Sequence, residues 1–70
     1  MKRTKVKSSN IASIGYDLAN EILEIEFKNG SIYNYFEVPL NEYSGIMEAK
    51  SHGKYLAEYI KDIYRYELIN

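Results

Sequence analysis

The sequence predicts an α+β fold in two layers, a three-stranded antiparallel β-meander followed by two α-helices packed on one face. Three observations carry this. Leu23, Ile25 and Phe27 alternate with Glu24, Glu26 and Lys28, the period-two pattern of a half-buried strand. Asn29-Gly30 then supplies residues tolerant of positive φ, and residues 31 to 38 resume an extended, aromatic and β-branched run, so a hairpin follows. Beyond Pro39 the apolar spacing changes to three and four residues, which is the helical period.

Taken in order, residues 1 to 7 hold Lys2, Arg3, Lys5 and Lys7 without an acid and read as a basic, flexible N-terminal arm. Residues 8 to 70 form a single domain. The first strand, residues 11 to 17, places Ala12, Ile14 and Tyr16 on one face and Ser13 and Gly15 on the other. A turn over residues 17 to 21 leads into the second strand. The hairpin admits two registers, and a slip of one residue exchanges the faces of the third strand. A two-residue turn at Asn29-Gly30 would leave Tyr33 and Tyr35 outside, beside Glu24 and Glu26. A three-residue loop, Lys28-Asn29-Gly30, pairs Ile25 with Tyr33 and Leu23 with Tyr35. The second is favoured because it keeps Asn34 off the core face, and it leaves Ile32 and Phe36 on the far, uncovered face.

Pro39 stops the ladder and suits the first turn of a helix, which continues with Leu40, Tyr43, Ile46 and Met47 at helical spacing. Ser51 is the natural N-cap of a second helix with the stripe Tyr55, Leu56, Tyr59, Ile60 and Ile63, and with Glu58 within reach of Lys54 and Lys61. Residues 64 to 69 either continue that helix or run along a sheet edge.

At 70 residues the chain is one small domain that buries about 60% of its unfolded surface, with little room for a deep substrate cavity. The net charge of −1 conceals an acidic body, because residues 8 to 70 carry five basic side chains and all ten acids. Absence of Cys excludes thiolate chemistry and a disulfide framework. No apolar run is long enough for a membrane span or a signal segment, so we expect a cytoplasmic protein without a membrane partner.

Catalytic templates fail for want of parts. His52 is the sole imidazole, so no His or Cys spacing suits a metal, and neighbouring Ser51 or Ser44 does not make a triad. Gly15, Gly30, Gly45 and Gly53 are isolated, which implies no phosphate loop and no nucleotide cofactor. We expect no cofactor, no metal and no enzyme. The unusual feature is eight tyrosines with two Phe and no Trp. Tyrosine can serve as half-buried core with a wet hydroxyl, or as a surface that stacks on bases or proteins.

The runs Ser8-Ser9-Asn10-Ile11 and Ile14-Gly15-Tyr16-Asp17 open one pattern. It continues through Leu23-x-Ile25-x-Phe27, Tyr33-x-Tyr35, Val38-Pro39 and Ala49-x-Ser51-x-Gly53-x-Tyr55. The whole resembles the KTSC domain, a module of bacterial and phage proteins also found at the C-terminus of some lysyl-tRNA synthetases. The resemblance singles out Tyr33, Tyr35, Ser51 and Gly53 as family motif residues, implies no active site, and suggests RNA as partner. The expectation is therefore a non-enzymatic module binding RNA or another nucleic acid, with phosphates met by Lys2, Arg3, Lys5, Lys7, Lys54, Lys61 and Arg65. Its rival is a protein-interaction or self-associating module using Ile32 and Phe36, in one form a phage or mobile-element inhibitor of a host factor.

Overall fold

The computed structural model describes residues 1–70. Its elements are β1 (Arg3–Lys5), β2 (Ile11–Asp17), β3 (Ile22–Phe27), β4 (Ile32–Tyr35), α1 (Leu40–Glu48), α2 (His52–Tyr55), a π-helical turn over Leu56–Ile60, and β5 (Tyr66–Leu68). The five strands form one antiparallel sheet in the order β1-β2-β3-β4-β5. Ile46, Leu56 and Ile60 from the helices join Ile11, Ile14, Leu23, Ile25, Tyr35 and Val38 in one buried cluster, so the helices cover a single face.

The α+β class holds, but the sheet has five strands rather than three. Both additions are terminal segments of three residues, too short for alternation to register in the sequence. The basic arm is thus not free: Arg3, Thr4 and Lys5 pair with Gly15, Ile14 and Ser13. Gly15 permits that approach, since a Cβ there would stand 2.9 Å from Arg3 Cγ and 3.0 Å from the Lys2 carbonyl oxygen. The tail resolves to the edge strand β5, with Tyr66 opposite Tyr35 and Leu68 opposite Tyr33.

Strict alternation in β2 also fails at its start. A bulge between Ile11 and Ser13 makes Ala12 an extra residue, so Ile11 pairs with Phe27 and is fully buried. Strict alternation with Ala12 on the face of Ile14 does not allow for this bulge.

The hairpin closes in the three-residue register. Gly30 has φ +96°, the Phe27 N–H donates to the Ser31 carbonyl at 2.8 Å, and the Gly30 N–H donates to the Phe27 carbonyl at 2.9 Å. Leu23 pairs with Tyr35 and Ile25 with Tyr33, which turns both tyrosines toward the helices.

Pro39 caps α1 from outside, with ψ 157°, instead of lying in its first turn. Gly45 lies beneath the ring of Tyr55, whose Cζ would stand 2.7 Å from a Cβ there, so a residue that weakens a helix in isolation serves close packing. Ser51 Oγ accepts from the Lys54 N–H at 3.2 Å and caps α2 as its sequence position requires. The His52 Nδ1–H donates to the Ile46 carbonyl at 2.7 Å and ties α2 to the end of α1.

In the π turn the Lys61 N–H reaches the Leu56 carbonyl, five residues back, at 2.8 Å. The wider turn changes the phase of the stripe. Leu56 and Ile60 remain buried, whereas Tyr59 and Ile63 are 47% and 64% exposed, contrary to the expected apolar stripe. The ion pairs of the chain join Arg3 to Glu24 and Glu26, so Glu58 pairs with neither Lys54 nor Lys61.

Candidate functional site

Between the helical layer and the β4–β5 end of the sheet lies a cleft of about 360 Å³. Phe27, Tyr33, Tyr35 and Tyr66 line it from the sheet, Gly53, Leu56, Ala57 and Lys61 from the helical side, with Asn10, Asn29, Ser31 and Asp62 completing the lining. It exists because of what the sequence places opposite the rings. Gly53 and Ala57 are the two smallest residues of that helix, and they face the largest side chains of the sheet. A Cβ on Gly53 would come 2.5 Å from Asn10 Oδ1, so glycine also lets the loop before β2 close the cleft's end.

The rings form walls set at angles to one another. Phe27 and Tyr33 meet edge to face at 86° with centroids 5.7 Å apart. Tyr66 lies 5.8 Å from both Tyr33 and Tyr35, tilted by 55° and 41°. Tyr33 also stacks on Tyr35 at 28° with centroids 6.5 Å apart, so the rings pack as one aromatic cluster along the sheet side of the cleft.

Tyr35 is buried, and desolvation pushes its phenol up to about 12, with Tyr33, Tyr66 and Asp62 adding repulsion of the phenolate. The hydrogen bond from the Tyr55 hydroxyl to Glu42 raises Tyr55 to about 12 as well. A folded-state value above the ordinary 10.0 means the neutral phenol is favoured by folding. Tyr35 therefore contributes its full stability below about pH 10 and loses it as pH rises through about 12. A spectrophotometric titration is expected to show a late-ionising class of phenols, and Tyr35→Phe should shrink that class; ionisation of all tyrosines in one early step would contradict this burial.

Tyr16 and Tyr43 are structural. Tyr16 donates to the Val38 carbonyl at 2.6 Å and stacks on Tyr43 with centroids 4.8 Å apart. Ring inward and hydroxyl satisfied is the half-buried core role expected of this residue.

The structure disperses the expected phosphate-binding cations. Lys61 lines the cleft and Lys54 is exposed on α2 nearby. Lys2, Lys5 and Lys7 are exposed, but the first two lie at or beside β1, the opposite edge of the sheet. Arg3 is committed: its guanidinium binds Glu24 at 2.6 Å and Ser13 Oγ at 3.0 Å, while Ser13 donates to Glu26 at 2.7 Å. Arg65 lies 4.4 Å above the Phe36 ring. Ile32 and Phe36, expected as an open interface on the far face, are both half-buried. Of the family motif residues, Tyr33, Tyr35 and Gly53 meet in the cleft, while Ser51 caps the helix beside it. Sequence reading missed Phe27, Asn10, Asn29, Ser31, Asp62 and the cleft role of Tyr66. A strand of three residues carries too little alternation to have marked Tyr66 in the sequence.

No group of three or more His, Asp or Glu side chains is arranged to hold a metal ion, and no helix is long and apolar enough to cross a membrane. What fold and cleft define is a small two-layer α+β domain whose sheet tyrosines face a helix through a shallow opening. The chain belongs to the KTSC domain family, whose profile matches residues 7–64. It is 40% identical over 67 residues to an uncharacterized protein of Stutzerimonas stutzeri, covering 94% of each chain. It is also 36% identical over 66 residues to a segment of a lysine–tRNA ligase of Nostoc sp., where the match spans 94% of this chain but 12% of the ligase. A KTSC domain protein of Yersinia pestis, solved by crystallography, superposes with a TM-score of 0.93 at 38% identity, covering 99% of this chain and 97% of that one.

Proposed function

We propose that this chain is a non-catalytic binding module that takes single-stranded RNA, or a like nucleic acid, on the side where the tyrosine cleft opens. The observation that carries the reading is the meeting of Tyr33, Tyr35 and Tyr66 with Lys61 in one opening. Base stacking on aromatic rings contributes about 1 to 3 kcal/mol per base and tolerates any sequence. Electrostatics favours this side over the other. Glu24, Glu26 and Glu67 share the far face of the sheet by register with Arg3 and Lys5; Arg3 pairs with Glu24 and Glu26, so that face keeps a small net negative charge that disfavours phosphate. Lys54 and Lys61 carry the phosphate contacts on this reading, and exposed Lys2, Lys5 and Lys7 add only a longer-range field. The kinship with a segment of lysine–tRNA ligase, a protein named for an RNA substrate, is in keeping with it. The module then works in the cytoplasm.

Binding of a labelled single-stranded oligoribonucleotide should weaken steeply with salt. The double variant Lys54→Glu, Lys61→Glu should lower affinity by at least about tenfold and flatten the salt slope by about 1.4, at roughly 0.7 per lost phosphate contact. Affinity indifferent to salt in the unaltered chain would remove this reading.

One observation favours a second reading, docking on protein or on a second copy. Ile63, Tyr66, Leu68 and Ile69 are each about half exposed or more at the β5 edge, whose outer backbone groups have no neighbouring strand. The interface then lies at β5 and not at Ile32 and Phe36. Light scattering across concentration, with Leu68→Lys as control, separates the two readings: a strict monomer that binds RNA supports the first.

A further inference from the structure

We infer that the cleft is a subsite for one unstacked nucleobase, a specific pocket within the nucleic-acid reading above and dependent on it. The cleft, at about 360 Å³, lies near the floor of the range for small-molecule sites, roughly 300 to 1,000 Å³. A base with its sugar is of that scale, whereas a folded peptide or a second domain is not.

The lining suits a flat, neutral ring. Phe27, Tyr33 and Tyr66 offer π-faces to a flat ring, and Asn10, Asn29 and Ser31 offer neutral donors and acceptors to its edge. The Asn29 carboxamide oxygen already accepts from the Ser31 N–H at 3.0 Å, and the Asn10 carboxamide oxygen accepts from the Ser8 hydroxyl at 3.2 Å. Both side chains thereby keep their amide N–H groups as donors, the right partners for ring nitrogens and carbonyls of a base. Lys61 and Asp62 are the only charged residues of the lining and their charges cancel, so a neutral heterocycle is matched better than an ion.

The helical wall changes from α to π at Leu56, beside Ala57, and the wider turn carries Lys61 into the lining. Single π turns within helices recur at functional sites, and here the irregularity sits on the cleft.

Titration of the full chain with uridine, cytidine, adenosine and guanosine monophosphates, followed by amide shifts in NMR, tests the inference, with ribose 5-phosphate as the base-free probe. Saturable shifts at Asn10, Tyr33, Gly53, Ala57 and Tyr66 are expected with at least one nucleotide and not with ribose 5-phosphate. Tyr66→Ala, which removes a wall, should weaken that binding about tenfold. Ala57→Trp, which fills the space from an exposed helical position, should abolish it and leave the melting transition in place. Ribose 5-phosphate shifting the same amides equally would overturn the base subsite. So would an abasic oligomer binding as tightly as its base-bearing counterpart, although the nucleic-acid reading would then stand. Binding of methylated ammonium compounds at these residues with no response to any nucleotide would overturn both and assign the rings to a cation cage.

Discussion

Ile25→Ala is expected to cost about 2 to 5 kcal/mol, the loss typical of truncating a fully buried branched side chain. Ile25 is 0% exposed at the centre of the sheet, with Ile14 opposite on β2 and Tyr33 opposite on β4. A chain of this length holds on the order of 4 to 10 kcal/mol in all, so the substitution removes a large share. Thermal unfolding followed by circular dichroism should show a midpoint lower by roughly 10 °C or more, at about 4 to 8 °C per kcal/mol for a small domain. A midpoint within a degree or two of the parent would mean that the core is not centred on β3.

Deletion of residues 65 to 70 is expected to have an effect of similar size and a different kind. It removes β5 and with it the Phe36 N–H bond to the Arg65 carbonyl at 2.9 Å, the Ile32 N–H bond to the Asn70 carbonyl at 3.0 Å, and the Ile69 N–H bond to the Ile32 carbonyl at 2.7 Å. At about 0.5 to 1.5 kcal/mol each these bonds and the ladder total several kcal/mol, before the lost packing of Tyr66 on Tyr33 and Tyr35. The deletion also bares β4, whose unpaired edge invites pairing with another chain. Urea titration should give a lower midpoint, and light scattering should reveal concentration-dependent association. A monomer of unchanged midpoint would show that β5 is dispensable.

The parts of the fold legible in the sequence are those where local chemistry and tertiary demand agree. Asn29-Gly30 marked the hairpin turn and Ser51 the helix start, whereas Asn34, although turned off the core face, still buries its carboxamide oxygen without a partner. What escaped were features imposed by neighbours. β1 and β5 are strands because β2 and β4 have open edges to pair with, and three residues such as Arg3-Thr4-Lys5 carry no period. The bulge at Ala12 and the π turn at Leu56–Ile60 each shift a phase, moving Ile11 inward and Tyr59 outward. Tyr33, Tyr35 and Gly53 could be marked through the family pattern, but their meeting with Tyr66 and Lys61 depends on how the tail returns.

The proposal that this domain binds through the tyrosine cleft makes a direct prediction. Amide shift mapping on addition of a single-stranded oligoribonucleotide tests it most directly. Perturbations confined to Tyr33, Tyr35, Gly53, Ala57, Lys61 and Tyr66 are predicted, with Ser13, Glu24 and Glu26 on the far face unmoved; shifts centred on that far face would contradict it.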